Sequence, residues 1–346
     1  MKITTIGIDL AKEVFQIHGV NEHGKVMLRK QLRRSAMTKF FVNLAPCLIG
    51  MEACGSSHHW ARKLSGFGHT VKLMSPQFVK PYVKTNKHDM ADAEAICEAV
   101  SRPNMRFVPI KNVEQQAILS VHRARQGLVK ARTAQANQIR GLLAEFGIVI
   151  PQGIHSIAKR IPDILEAAEN GLPEIMRHLL RRLNDHLAEL NRQVEELELQ
   201  IKLWHKNNEA SQKLEAIPGI GPITASAIVA TVGDAREFKN GRQLAAWFGL
   251  VPKQCSSGGK QLLPGISKRG DTYLRTLLIH GARAIVRFAE NKAEPESWLR
   301  KLMARRNKNV AAVALANKNA RIIWALLAKG RTFHPDHASA AYAAAS

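Results

Sequence analysis

Residues 3–32, ITTIGIDLAKEVFQIHGVNEHGKVMLRKQL, contain three β-rich runs, 3–10, 14–20 and 26–32, parted by polar or Gly-containing turns. Such spacing predicts consecutive strands of a meander. Working outward, CLIGME (47–52) reads as a buried strand, 56–66 as a helix, TVKLM (70–74) as a further strand and DMADAEAICEAV (89–100) as a helix. Strands interleaved with helices define an α/β domain, which we bound at residues 1–111, just past Pro109.

The text from 112 to 146 is helical, with Ile118, Val121, Leu128, Ile139, Leu142 and Phe146 as apolar positions and Arg123, Arg125, Lys130, Arg132 and Arg140 on its basic side. Gly147, Pro151, Gly153, Pro162, Gly171 and Pro173 then punctuate a connector. Beyond it Met176, Leu180, Leu183, Leu187, Leu190, Val194, Leu197, Ile201 and Trp204 alternate at four- and three-residue steps, the seam of a coiled coil. That seam is about 42 Å long at 1.5 Å per residue, and its partner is either the first long helix or a second subunit. We therefore divide the rest of the chain into a coiled-coil helical region (112–208), a mainly α-helical domain (209–333) and a flexible Ala/Ser-rich tail (334–346).

With 51 Lys+Arg against 28 Asp+Glu, the 346 residues carry a net charge of +23. Residues 251–346 hold +12 of it. An excess of this size points to a polyanionic partner, nucleic acid above all. The four cysteines form no CxxC pair and no Cys/His ligand spacing, so neither a zinc site nor a disulfide framework is signalled. Asp9, Lys12 and Glu13 fall where a signal peptide would need its apolar run, and no stretch approaches 18 uncharged apolar residues. We expect a cytoplasmic or nucleoid protein with no membrane partner.

Four carboxylates stand out. Asp9 ends one apolar strand and Glu52 another. At 100° per residue Asp89 and Asp92 lie about 60° apart and flank the stripe of Ala93, Ile96 and Val100, which turns them toward the core side. Glu94 and Glu98 fall opposite, where solvated carboxylates belong. Asp89 can serve as the helix N-cap, whereas a carboxylate such as Asp92 turned toward the core is costly unless paired or coordinated. Carboxylates from two strand ends and one helix suit one or two Mg²⁺ ions, and paired metals support in-line phosphodiester displacement. Meander, acidic strand and acidic helix in this order resemble a RuvC-type, ribonuclease H-like domain.

In the C-terminal third, QCSSGGKQLLPGISKRGD (254–271) places Ser256 and Ser257 before two glycines, with Lys253, Lys260, Lys268, Arg269 and Arg275 around them. A hydroxyl beside glycines allows close approach of a phosphate, and the cations stabilise charge developing there. The IPGIGP loop (217–222) reads either as a plain helix-connecting turn or as a phosphate-contact loop using Gly219 and Gly221. Trp60, Trp247, Trp298 and Trp324 read as core residues, and His58 and His59 as helix-surface residues or supports for the carboxylates rather than ligands.

The words GIDLAKEVFQ, MEACGSSHHWAR, KTNKHDMADAEAI, LEAIPGIGPITA, FGLVPK, SSGGK and GISKRGDTYLRTLLIHGAR run in order from residue 6 to about 284. Together they resemble the DEDD transposases of the insertion sequence one-ten family, serine-dependent recombinases guided by a bridge RNA. The resemblance implies an α/β RuvC-like domain, a coiled-coil region and a helical transposase domain. It also implies that Asp9, Glu52, Asp89 and Asp92 hold Mg²⁺ and that Ser257 attacks a DNA phosphate, with Ser256 as the alternative. Further implications are donor and target double-stranded DNA and a guide RNA as partners, a dimer or tetramer, and an active site shared between subunits. Two rival readings are a junction nuclease using the carboxylates alone and a non-enzymatic nucleic-acid scaffold.

Overall fold

In the computed structural model the described residues are 2–84, 88–257, 260–262, 264–292 and 297–334. They form two compact units, Met1–Glu114 and Gln115–Ser346. The first begins with β1 (Thr5–Leu10), β2 (Val14–Val20) and β3 (Val26–Arg33), followed by α1 (Met37–Val42), β4 (Leu48–Glu52), α2 (Ser57–Ser65) and β5 (Thr70–Met74). Then come α3 (Pro76–Val79), α4 (Asp89–Val100) and β6 (Phe107–Val108). The sheet order is β3-β2-β1-β4-β5-β6. The meander strands pair antiparallel, β1–β4 and β4–β5 pair parallel, and β6 closes the edge antiparallel. The expected mixed α/β domain is thus present, with β1 to β5 at the expected places and the short β6 an addition that the sequence did not signal.

Strand alternation divides this sheet. Ile6, Ile8, Ile49 and Met51 point into a core with Phe15, Trp60 and Leu64, while Gly7 and Gly50 lie on the other face, under α4. A Cβ on Gly7 would stand 2.2 Å from the Ala93 carbonyl oxygen, and one on Gly50 2.7 Å from Val100 Cβ. These glycines let the helix backbone rest directly on the sheet.

The second unit opens with α5 (Val113–Ala144, whose first two residues precede the division), α6 (Ile154–Glu166) and α7 (Glu174–Lys206). Next are α8 (Glu209–Glu215), α9 (Pro222–Val232), α10 (Gly241–Trp247), the strands β7 (Cys255–Ser257) and β8 (Lys260–Leu262), α11 (Thr272–Lys292), α12 (Trp298–Arg305) and α13 (Lys308–Lys329). The seam of α7 is covered within the chain. Met176, Leu180 and Leu187 pack with Ala136, Ile139 and Leu143 of α5 and Ile157 and Ile161 of α6. Arg125–Glu198 at 2.6 Å, Arg132–Asn191 at 2.7 Å and Gln135 to the Leu183 carbonyl at 3.2 Å set α5 and α7 antiparallel. Of the two partners expected for the seam, the first long helix is the one present.

Two expectations are corrected. The segment read as a plain connector contains α6, because Ile154, Ile157, Ile161 and Ile164 recur at helical spacing while Pro162 sits on its exposed side. The serine segment read as a loop is a paired β-ribbon. Apolar helix α13 has the length and composition of a membrane span, yet Ala312, Leu315, Ile323 and Leu326 place it in the core of the helical unit. Trp60 is buried as expected, and Trp247, Trp298 and Trp324 pack partly buried against the helical core. The tail lies, beyond His334, outside the described residues.

Candidate functional site

Asp9 and Glu52 each follow the last registered β1–β4 pair, Ile8 with Met51, so they sit side by side at one end of the sheet. By alternation both share the face of Gly7 and Gly50, the face α4 covers. Cys97 Sγ of α4 reaches the Thr5 carbonyl at 3.7 Å, while Ala93 lies over Gly7. The helix therefore runs antiparallel to β1. One more turn back brings its first residues, Asp89 and Asp92, to the end where Asp9 and Glu52 stand. Burial first, and then the negative fields of Glu52 and Asp9, push the Cys54 thiol upward, so both carboxylates act on one sulfur.

Asp92 is half-buried, whereas Asp89, at the first position of α4, is exposed. The expectation that both acids face the core is corrected for Asp89. The cap is likewise not Asp89 but His88, whose Nδ1 accepts from the Met90 N–H at 3.1 Å. Glu94 and Glu98 lie on the outer side as expected, paired with Arg29, Lys84 and Arg102. The hydrogen bond from Lys84, then that from Arg102, holds the Glu98 carboxyl below its usual range. His58 accepts from the Lys111 N–H at 3.2 Å, tying the chain after β6 to α2.

As donors, the four carboxylates fit a hard divalent cation. Among the described residues, however, no group of three or more His, Cys, Asp or Glu side chains is close enough to hold a metal ion. The sheet brings the four to one end without closing them on a common point.

The serine segment is built on a ribbon. Val251, Pro252 and Lys253 pair with residues 265–267 through Ser267 N–H to Val251 O at 2.8 Å, the Pro252–Ile266 bridge and Lys253 N–H to Gly265 O at 3.1 Å. The strands continue as β7 and β8, with Ser256 opposite Gln261 and Ser257 opposite Lys260 in the last registered pair. Gly258 and Gly259 lie outside the described residues. At the base, Gly249 has φ 74° and a Cβ there would lie 2.0 Å from the Arg269 carbonyl oxygen, so only glycine lets the two strands cross. Lys268 also takes a left-handed conformation, φ 53°, a costly geometry for a side-chain-bearing residue.

Lys253, Lys268 and Arg269 are exposed. Arg275 is a correction. It is buried, and its guanidinium donates to the Phe248 carbonyl at 3.2 Å and to Thr272 Oγ1 at 3.1 Å, so it pins the ribbon base instead of offering its charge to phosphate. Gly219, φ 88°, packs on α11, where a Cβ would meet the Gly281 carbonyl oxygen at 2.8 Å. That contact accounts for this glycine by packing, whereas Gly221, at the start of α9, faces open space.

One buried network escaped the sequence reading. Ser226 Oγ lies 2.6 Å from the Pro222 carbonyl and so donates to it. It then accepts from His122 Nε2 at 3.1 Å, leaving His122 Nδ1 to accept from the Tyr273 hydroxyl at 3.0 Å. This bonding pattern assigns the neutral tautomer, and burial, aided by Arg125, lowers the His122 pKa to about 4. The network ties α5, α9 and the first turn of α11 just after the basic loop. Its members lie 104 and 151 residues apart in sequence, and no local pattern connects them.

Comparison with known proteins defines the class. A family model described as "Transposase", of the DEDD type, matches residues 6–148, and the model "Transposase IS116/IS110/IS902 family" matches residues 211–296. The chain belongs to the IS110 family of insertion-sequence transposases, enzymes of DNA transposition whose substrate is DNA. It is 56% identical to a "Probable family 20 transposase" of Pseudomonas aeruginosa, over 97% of this chain and 100% of the relative. It is also 46% identical to the "Transposase for insertion sequence element IS1111A" of Coxiella burnetii, over 96% and 91% of the two chains. The "Transposase for insertion sequence element IS1328" of Yersinia enterocolitica is 45% identical, over 96% and 98%.

Proposed function

We propose that this transposase cuts and rejoins donor and target DNA through a phosphoserine intermediate formed on Ser257, with the DEDD carboxylates of a RuvC-like domain holding Mg²⁺ and a bridge RNA choosing the sites. The observation that carries the reading is the ribbon, in whose last registered pair Ser257 stands opposite Lys260, with the exposed cations Lys253, Lys268 and Arg269 toward its base. A nucleophile carried on a paired, pinned element is positioned more tightly than one on a free loop.

In the proposed step the serine oxygen bonds to phosphorus and one ester oxygen leaves as a free hydroxyl. Attack by the hydroxyl of the incoming strand reverses the exchange. One phosphodiester is exchanged for another at each stage, so religation needs no ATP. Lys260, Lys268 and Arg269 would offset charge on the phosphate. Metal held by Asp9, Glu52, Asp89 and Asp92 would supply further charge neutralisation. The guide RNA would be held through its backbone by the basic surface, with base pairing reading sequence. Exchange between two duplexes fits a dimer or tetramer.

The test combines purified protein, element-end RNA, Mg²⁺ and labelled donor and target DNA on denaturing gels. Wild type and Ser256→Ala are expected to give a covalent protein–DNA band, while Ser257→Ala and Asp92→Ala give none. Free cleaved ends without a covalent band would indicate the hydrolytic nuclease instead. Loss with Ser256→Ala alone would move the nucleophile by one residue, and no DNA chemistry in any sample would leave the scaffold reading.

A further inference from the structure

We infer that the first unit carries a DNA-backbone site in the cationic groove between the end of the β2–β3 pair and α2. The inference rests on the transposase reading above for the identity of the polyanion. The groove encloses about 740 Å³ and is lined by Arg33, Arg34 and Lys63, with Glu13 its one carboxylate among the described residues. The hydroxyls of Ser35 and Thr38 also line it.

Arg34 lies over the Phe15 and Trp60 rings, 5.9 and 5.6 Å from their centroids, and Lys63 lies over Trp60 at 5.5 Å. Stacking on aromatic faces fixes the directions of both cations before any ligand arrives. Trp60 is 3% exposed, and its buried indole N–H has no acceptor among the described residues. The positive field is independently visible at His59, whose pKa is lowered by burial and then by Lys63, Arg34 and Arg62.

Position makes the groove useful. Val14 pairs with Arg33 and Arg34 N–H bonds to the Glu13 carbonyl at 2.8 Å, so the cations stand at the sheet end where β1 terminates after Asp9. A strand whose phosphates lie in the groove passes the edge that carries the carboxylates. Contacts of this kind set register without reading sequence.

Two measurements on the full-length protein test this. In the first, wild-type lysines are acetylated with and without a labelled 30-base-pair duplex or an RNA hairpin of equal charge. Duplex DNA should protect Lys63 and spare Lys25, which is exposed at the opposite end of the sheet. In the second, duplex binding is followed by anisotropy from low to moderate salt. Arg33→Ala with Lys63→Ala should weaken binding about tenfold and reduce the slope of log affinity against log salt by about 1.8, two phosphate contacts at about 0.9 each. If wild type binds duplex while Lys63 stays reactive and the double variant matches wild type, the groove is overturned and the transposase reading stands. Protection by RNA but not DNA overturns the DNA assignment. A wild-type protein that binds no DNA overturns both.

Discussion

Individual residues here are explained by what a neighbouring backbone permits. Gly7 and Gly249 are required where a helix or strand crosses at contact distance, and Arg275 is spent on carbonyls inside the ribbon base. His122 makes a pH prediction. Its pKa in the folded protein, about 4, lies below the ordinary 6.5, so the unfolded chain binds more protons between those values. Stability from this residue is therefore complete above about pH 6.5 and lost as pH falls toward 4, by up to about 3 kcal/mol. Urea unfolding of wild type and His122→Gln at pH 7.5 and 5 should show a smaller acid-induced shift of midpoint in the variant. Equal shifts in the two proteins would exclude the imidazole as the source.

At the scale of elements, the long amphipathic helices are ruled by their seam. Leu180 is fully buried between α5, α6 and α7, and truncating such a leucine costs about 2–5 kcal/mol. Leu180→Ala should lower the urea midpoint of the helical unit accordingly, whereas the exposed Leu199→Ala, on the outer side of α7, should change the unfolding free energy by less than about 0.5 kcal/mol. A reversed order would mean that the outer side of α7 is covered by a second copy. The seam was legible because its spacing is strict. The serine ribbon was not, since a short Gly/Ser-rich pair of strands lacks the apolar alternation by which strands are recognised.

For the molecule as a whole, a charge of +23 predicts that phosphate contacts make the largest contribution to DNA affinity. With about 6–10 such contacts, affinity should fall by about 10³ to 10⁵ between 50 and 200 mM salt. Titration of a labelled duplex across that range checks this, and a flat response would show that the net charge does not meet DNA phosphate.

Sequence alone determined the class of protein, the two long helices, the meander and the candidate serine and carboxylates, because periodicity, charge and motif order are local properties of a chain. Tertiary structure decided what depends on distant partners. It covered the α7 seam within the chain, brought Asp9, Glu52 and the start of α4 to one sheet end, turned Arg275 inward and gathered Arg33, Arg34 and Lys63 around one groove. Each of these requires knowing which backbone lies opposite, and close packing between residues far apart in sequence is what settles that.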